Sequence, residues 1–130
     1  MKLGVQQTTV VCVTARERWN DTGIEVSRGE EYSLQADGTW SDASIEKNAD
    51  GYSSSNSLFQ VTEGFRRIPS AAWFALIGTV GRDLSDAACI GVSGRLQATR
   101  DGNLFCFAND LPFMYWNNSG SIRVSVTRIR

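Results

Sequence analysis

Near the end of the chain, over residues 121–129, apolar Ile122, Val124, Val126 and Ile129 are spaced by polar Arg123, Ser125 and Thr127. That period of two is the pattern of a strand with one face on a core and one face in water. Shorter β-branched or aromatic runs recur upstream, at 8–14, 24–26, 32–36, 58–61, 73–77, 88–91, 95–98 and 104–108. Turn signals separate them: Arg28-Gly29, Asp37-Gly38, Asp50-Gly51, Ser93-Gly94 and Asp101-Gly102. Regularly spaced short strands with glycine-bearing turns predict an antiparallel sandwich or barrel. No window of helical length carries an apolar stripe, and no internal repeat is present. Residues 49–57, centred on Asp50-Gly51-Tyr52-Ser53, read as a functional or mobile loop.

With 130 residues, 42% of them hydrophobic, the chain suits one cored domain spanning 1–130. Thirteen basic against fourteen acidic residues leave a net charge of -1 with no basic stripe, which argues against nucleic acid as a partner. No segment approaches membrane-spanning length and residues 1–9 lack a signal-peptide apolar core, so no membrane insertion is expected. The expectation is a soluble protein, cytoplasmic or released without a cleaved signal. Cys12, Cys89 and Cys106 are an odd count without a Cys-x-x-Cys pair, and each lies in an apolar run. They are read as buried small hydrophobes, with one pair left open to bridge in an oxidising compartment. Histidine is absent, which removes Ser-His-Asp and Cys-His nucleophile systems and the usual zinc sites. Trp19, Trp40 and Trp73 are read as core or sheet-edge packing, and Glu30, Glu31 and Glu46 as solvated surface.

The loop before the last strand, residues 109–120, gathers Asp110 with the amides of Asn109, Asn117 and Asn118. All offer hard oxygen, and calcium takes six to eight such ligands. The same residue types are also the ordinary residues of turns.

Several stretches together resemble the PA-I-type lectins, the soluble calcium-dependent galactose-binding lectins of bacteria. They are Trp19-Asn20-Asp21-Thr22-Gly23-Ile24-Glu25-Val26, Arg28-Gly29-Glu30, Ala36-Asp37-Gly38-Thr39-Trp40, Ala75-Leu76-Ile77-Gly78 and Gly102-Asn103-Leu104. The most specific is the last, Asn109-Asp110 followed by Asn117-Asn118-Ser119-Gly120. The resemblance implies a jelly-roll-like antiparallel β-sandwich of the galactose-binding-domain-like kind, and a non-enzymatic, homo-oligomeric lectin for galactose-containing glycans. It also implies calcium held by Asp110, Asn117, Asn118, the Met114 carbonyl and a carbonyl at Asp42 or Ala43. Asp110 and Asn117 would in addition orient the sugar, joined by Asp50, Tyr52 and Trp116. The family's best-known member places a His and a Gln in the loop that corresponds to residues 48–52, and neither is present here. Tyr115-Trp116 precedes the Asn pair and would either stack on a sugar or cover the end of the sandwich.

Two rivals share these residues. Asp21-Thr22-Gly23, with Val80-Gly81-Arg82-Asp83, matches elements of retroviral-type aspartic proteases, in which two close carboxylates share a proton. Against it, the triplet follows Trp19-Asn20 rather than an apolar strand, and the intervening 48–57 segment is too polar for a flap. The other rival keeps the fold as an interaction or oligomerisation domain with a vestigial calcium site.

Overall fold

The computed structural model describes residues 1–53 and 63–130. Among these residues ten strands build the expected antiparallel β-sandwich. They are β1 (Thr8–Thr14), β2 (Asn20–Val26), β3 (Glu31–Asp37), β4 (Trp40–Asp42), β5 (Ile45–Lys47), β6 (Leu76–Val80), β7 (Ala88–Cys89), β8 (Ser93–Gln97), β9 (Gly102–Ala108) and β10 (Asn118–Arg128). One sheet runs β5-β4-β10-β3-β8, with β1 on the free side of β10; the other runs β2-β9-β6-β7. The expected strand at 58–61 lies outside the described residues.

β10 is the spine of the larger sheet. β1 pairs along one edge of it, and β3 and β4 follow one another along the other. Asp37 sits opposite Arg123 and Trp40 opposite Gly120, so the register is unchanged across the break at Gly38-Thr39. β3 and β4 are therefore one strand bent at Gly38, whose φ of 104° only glycine adopts readily. This bend carries Asp42 to the same end of the sandwich as Asn118, its partner across the ladder.

Alternation decides what faces inward. Val13, Tyr32, Leu34, Trp40, Ile122, Val124 and Val126 from the larger sheet meet Ile24, Val26, Leu76, Val80, Leu104, Cys106 and Ala108 from the smaller one. β6 and the end of β9 are buried on both faces, because Ala71, Ile68 and Trp19 cover the outer side of Ile77 and Phe107. A strand covered twice reads as a continuous apolar run, which is why 104–108 shows no period of two. The expected strand at 73–77 begins later, at Leu76, because Trp73 leaves the sheet to make an isolated bridge to Tyr52. β4 and β5 escaped the sequence reading, being three residues each and joined by a tight turn.

Two expectations are corrected. Cys106 is buried, but Cys12 and Cys89 are exposed, and all three are free. Cys12 alternates outward from β1 opposite Arg123, so its apolar neighbours do not bury it. Glu30 is not solvated surface: it is 8% exposed, and its carboxylate accepts the Ser27 N–H at 2.7 Å and the Tyr32 hydroxyl at 2.8 Å. Lys2 and, at 2.8 Å, Arg128 pair with the same carboxylate.

Burial alone would raise the Glu30 pKa, but Lys2, the Ser27 amide and Tyr32 outweigh it and bring it from an ordinary 4.5 to about 2. A folded-state value below the unfolded one stabilises the protein at pH above the unfolded value, and the gain disappears as pH falls through the folded one. The gap in urea midpoint between the parent chain and Glu30→Gln should therefore be widest above pH 4.5 and close as pH falls toward 2. A gap independent of pH over that range would show that the ionised carboxylate is not the source.

Candidate functional site

Beside the end where β4 meets β10 lies a cleft of about 300 Å³, lined by Asp42, Ala43, Ser44, Ile45, Trp73, Asp110, Leu111, Met114 and Asn117. Three segments converge there: the β4–β5 turn, the turn before β6, and the loop between β9 and β10. Their positions are set by hydrogen bonds that leave little freedom. Asn109 is fully buried; its Oδ1 accepts the Ile68 N–H at 3.0 Å and its amide nitrogen donates to the Ile68, Ala71 and Ala72 carbonyls. The Asn109 carbonyl accepts the Phe74 N–H at 2.7 Å, and the Asp110 carbonyl accepts the Arg67 N–H at 3.0 Å.

Arg67 is itself a buried cation. Its guanidinium carbon lies 3.6 Å from the Phe107 ring centroid and 4.4 Å from that of Trp19, and Nη1 donates to the Tyr115 hydroxyl at 2.9 Å. Aromatic faces attract a cation electrostatically, and that attraction is larger when water is excluded. Tyr115 in turn donates to the Ala108 carbonyl. Tyr115 thus covers the end of the sandwich at 4% exposure, whereas Trp116 stands out at 67%. The paired aromatics therefore divide: one packs, one projects.

The polar side chains of the cleft are tightly drawn together. Asp110 is 3% exposed; its Oδ1 accepts the Leu111 N–H at 2.7 Å and its Oδ2 the Asn118 amide at 3.1 Å. Burial pushes the Asp110 carboxyl up to about 7, and the charge of Asp42 adds to the shift while the Leu111 and Asn118 hydrogen bonds oppose it. Asp42, 8% exposed, accepts the Tyr52 hydroxyl on Oδ2 at 2.7 Å. Its carboxyl is likewise raised by burial, with the Tyr52 bond acting the other way. The side-chain oxygens of Asn117 and Asn118 are buried and accept no hydrogen bond.

A buried polar atom without a partner costs about 1–3 kcal/mol, so two adjacent ones need an explanation. Two carboxylates and two orphaned amide oxygens form a donor set of hard oxygen, without thiolate or imidazole. That chemistry fits calcium and not zinc. Among the described residues no three acidic, cysteine or histidine side chains group together, so such a set has to rely on the amides.

The residues expected from the sequence separate into two groups. Asp42, Ala43, Asp110, Met114 and Asn117 line one cleft, and Asn118 is bonded to Asp110 behind it. Ala43 has a left-handed backbone, φ 53°, and its N–H donates to the Asn117 carbonyl at 3.1 Å, tying the two turns together. Tyr52 reaches the site through Asp42 and does not itself line the cleft. Asp50 is set apart: its Oδ1 accepts the Val92 N–H at 2.7 Å, which braces the entry to β8. Trp116 does not line the cleft either. The side chain of Asp42 is what the sequence reading missed, since only a main-chain carbonyl was expected there. Its sole signal was a carboxylate two residues after Trp40 at a turn.

Asp21-Thr22-Gly23 has a local task. Asp21 Oδ1 accepts the Gly23 N–H at 2.9 Å and the Asn103 amide at 3.2 Å, and Thr22 donates to the Leu104 carbonyl at 2.7 Å. The triplet shapes the irregularity where the β2–β9 register shifts between Asp21 and Glu25.

The architecture matches a solved structure described as the N-terminal domain of EclA, a PllA-like lectin. The TM-score is 0.67 at 18% identity, covering 92% of this chain and 94% of that one. At that identity the likeness is one of fold: the two share a β-sandwich architecture. No protein-family model matches the chain, and no curated protein matches its sequence. No helix among the described residues is long and apolar enough to cross a membrane.

Proposed function

We propose that this chain is a calcium-dependent lectin that binds galactose or a galactoside without transforming it. The observation that carries the reading is the pair of buried, unpartnered oxygens on Asn117 and Asn118 beside the buried Asp110. In the PA-I-type pattern these are the side-chain ligands, joined by the Met114 carbonyl and one from Asp42 or Ala43. Calcium, when bound, supplies an incompletely filled coordination shell that selects two vicinal hydroxyls. Asp110 and Asn117 orient those hydroxyls by hydrogen bonds, and the Asn109 and Arg67 anchors hold the loop that presents them. The solved lectin domain of the same fold lends support, as does the absence of histidine and the local role of Asp21.

Neither the His nor the Gln that reads the sugar's outer hydroxyl stands at residues 48–52, and Asp50 is committed to Val92. Each hydrogen bond lost to a ligand hydroxyl costs about 0.5–1.5 kcal/mol, up to roughly tenfold in affinity. Binding is accordingly weak at one cleft, and self-association would restore useful strength by avidity. Titration calorimetry with galactose, mannose and fucose should show calcium-dependent binding that prefers galactose by a small factor. Binding indifferent to chelator would defeat the reading.

A further inference from the structure

Resting on that reading, we infer that the side-chain carboxylate of Asp42 is a second charged ligand of the same cation, held in place by the Tyr52 hydroxyl. The sequence pattern asks only for a main-chain oxygen at this turn, which any residue supplies. The structure puts a carboxylate there, 8% exposed, lining the cleft that Asp110 lines from the opposite segment. The ladder fixes its place, since Asp42 pairs with Asn118, whose amide nitrogen donates to Asp110 at 3.1 Å. Among the described residues Asp42 makes no ion pair with a basic side chain, and its carboxylate accepts the Tyr52 hydroxyl on Oδ2 at 2.7 Å. Two buried carboxylates lining one cleft, without a basic partner among the described residues, repel in the absence of a cation, a poor arrangement for stability alone. The unpartnered oxygen of Asn118, a side chain 3% exposed, points independently to a missing electropositive partner at the same place.

The consequence is a site of formal charge -2, which a divalent cation neutralises completely. Affinity for calcium rises with the number of charged ligands. Tyr52 acts as a positioning residue: its hydroxyl fixes the rotamer of Asp42 and leaves Oδ1 for the metal. Its own placement depends on backbone bonds to Trp73, from the Tyr52 N–H at 2.8 Å and to the Tyr52 carbonyl at 3.1 Å. Gly51, at φ 70°, makes that approach possible, because a Cβ there would collide with the Trp73 carbonyl oxygen.

The test is calcium titration calorimetry on the parent chain, Asp42→Asn, Tyr52→Phe and the double variant, with melting temperatures in chelator alongside. Asp42→Asn should weaken calcium binding at least tenfold, and Tyr52→Phe by a few-fold. In the Asp42→Asn background the Tyr52 substitution should add little, because its effect passes through the carboxylate. In chelator Asp42→Asn should melt at or above the parent temperature, since it removes a repulsive charge. A drop in chelator with unchanged calcium affinity would mark Asp42 as structural and overturn the inference. Calcium affinity lost in Asp110→Asn yet unchanged in Asp42→Asn would overturn it while leaving the lectin reading intact. A parent chain that takes up no calcium would overturn both.

Discussion

Millimolar calcium should raise the melting temperature of the parent chain by on the order of 10 °C, a chelator should reverse the rise, and Asp110→Asn should abolish it. The size follows from linkage. A ligand that binds only the folded state stabilises it by about 2.7 kcal/mol at one hundred times its dissociation constant. About 1 kcal/mol moves the midpoint of a domain this size by a few degrees. Asp110 is central because its carboxylate is buried at 3% exposure in contact with Leu111 and Asn118, where an uncharged amide of the same shape keeps the packing but not the charge. In chelator, Asp110→Asn should cost little stability, because burial and the facing Asp42 already push this carboxyl up to about 7. Scanning calorimetry of both chains with and without calcium decides the matter. An equal calcium shift in parent and variant would move the cation away from this loop.

Trp40→Ala should be the most damaging single core change, costing about 3–5 kcal/mol. Trp40 is 1% exposed, its indole donates to the Phe74 carbonyl at 3.2 Å, and its ring meets the Phe74 ring edge-on at 6.0 Å. Truncation leaves a cavity and an unpaired carbonyl together. Phe74 holds a left-handed backbone, φ 62°, next to Trp73 at the cleft, so the loss should also loosen the site. Denaturant unfolding should show a lower midpoint, and calcium should recover part of it. A stability within about 1 kcal/mol of the parent would mean that the β4 end of the sandwich is not cooperative with the rest.

Much of this architecture was legible beforehand, and the reason is local. β10 alternates because it has one face on the core, so Ile122, Val124 and Val126 announce both strand and facing. The Asn109-Asp110 and Asn117-Asn118 pairs marked the loop because hard oxygen donors were concentrated between two strands. Where a local rule depended on a neighbour outside the window, it failed. Cys12 lies in an apolar run yet points outward, and Glu30 looks like surface yet gathers Lys2, Tyr32 and Arg128 around it. The short β4 and β5 exist because β10 continues far enough to template them, which no three-residue segment reveals.

The sequence by itself determined the all-β class, the facing of the last strand and the oxygen-rich loop, because periodicity and residue chemistry are properties of neighbouring positions. Only the tertiary structure decided which oxygens meet. Asp42 and Asp110 lie far apart along the chain and come together because β3 bends at Gly38 into β4 along the edge of β10. Tyr52 reaches Asp42, and Asp50 is withdrawn to Val92, through contacts that no spacing encodes. The division follows from the physics: backbone pattern is set by short-range alternation, whereas a binding site is set by which distant segments the closed sheets bring edge to edge.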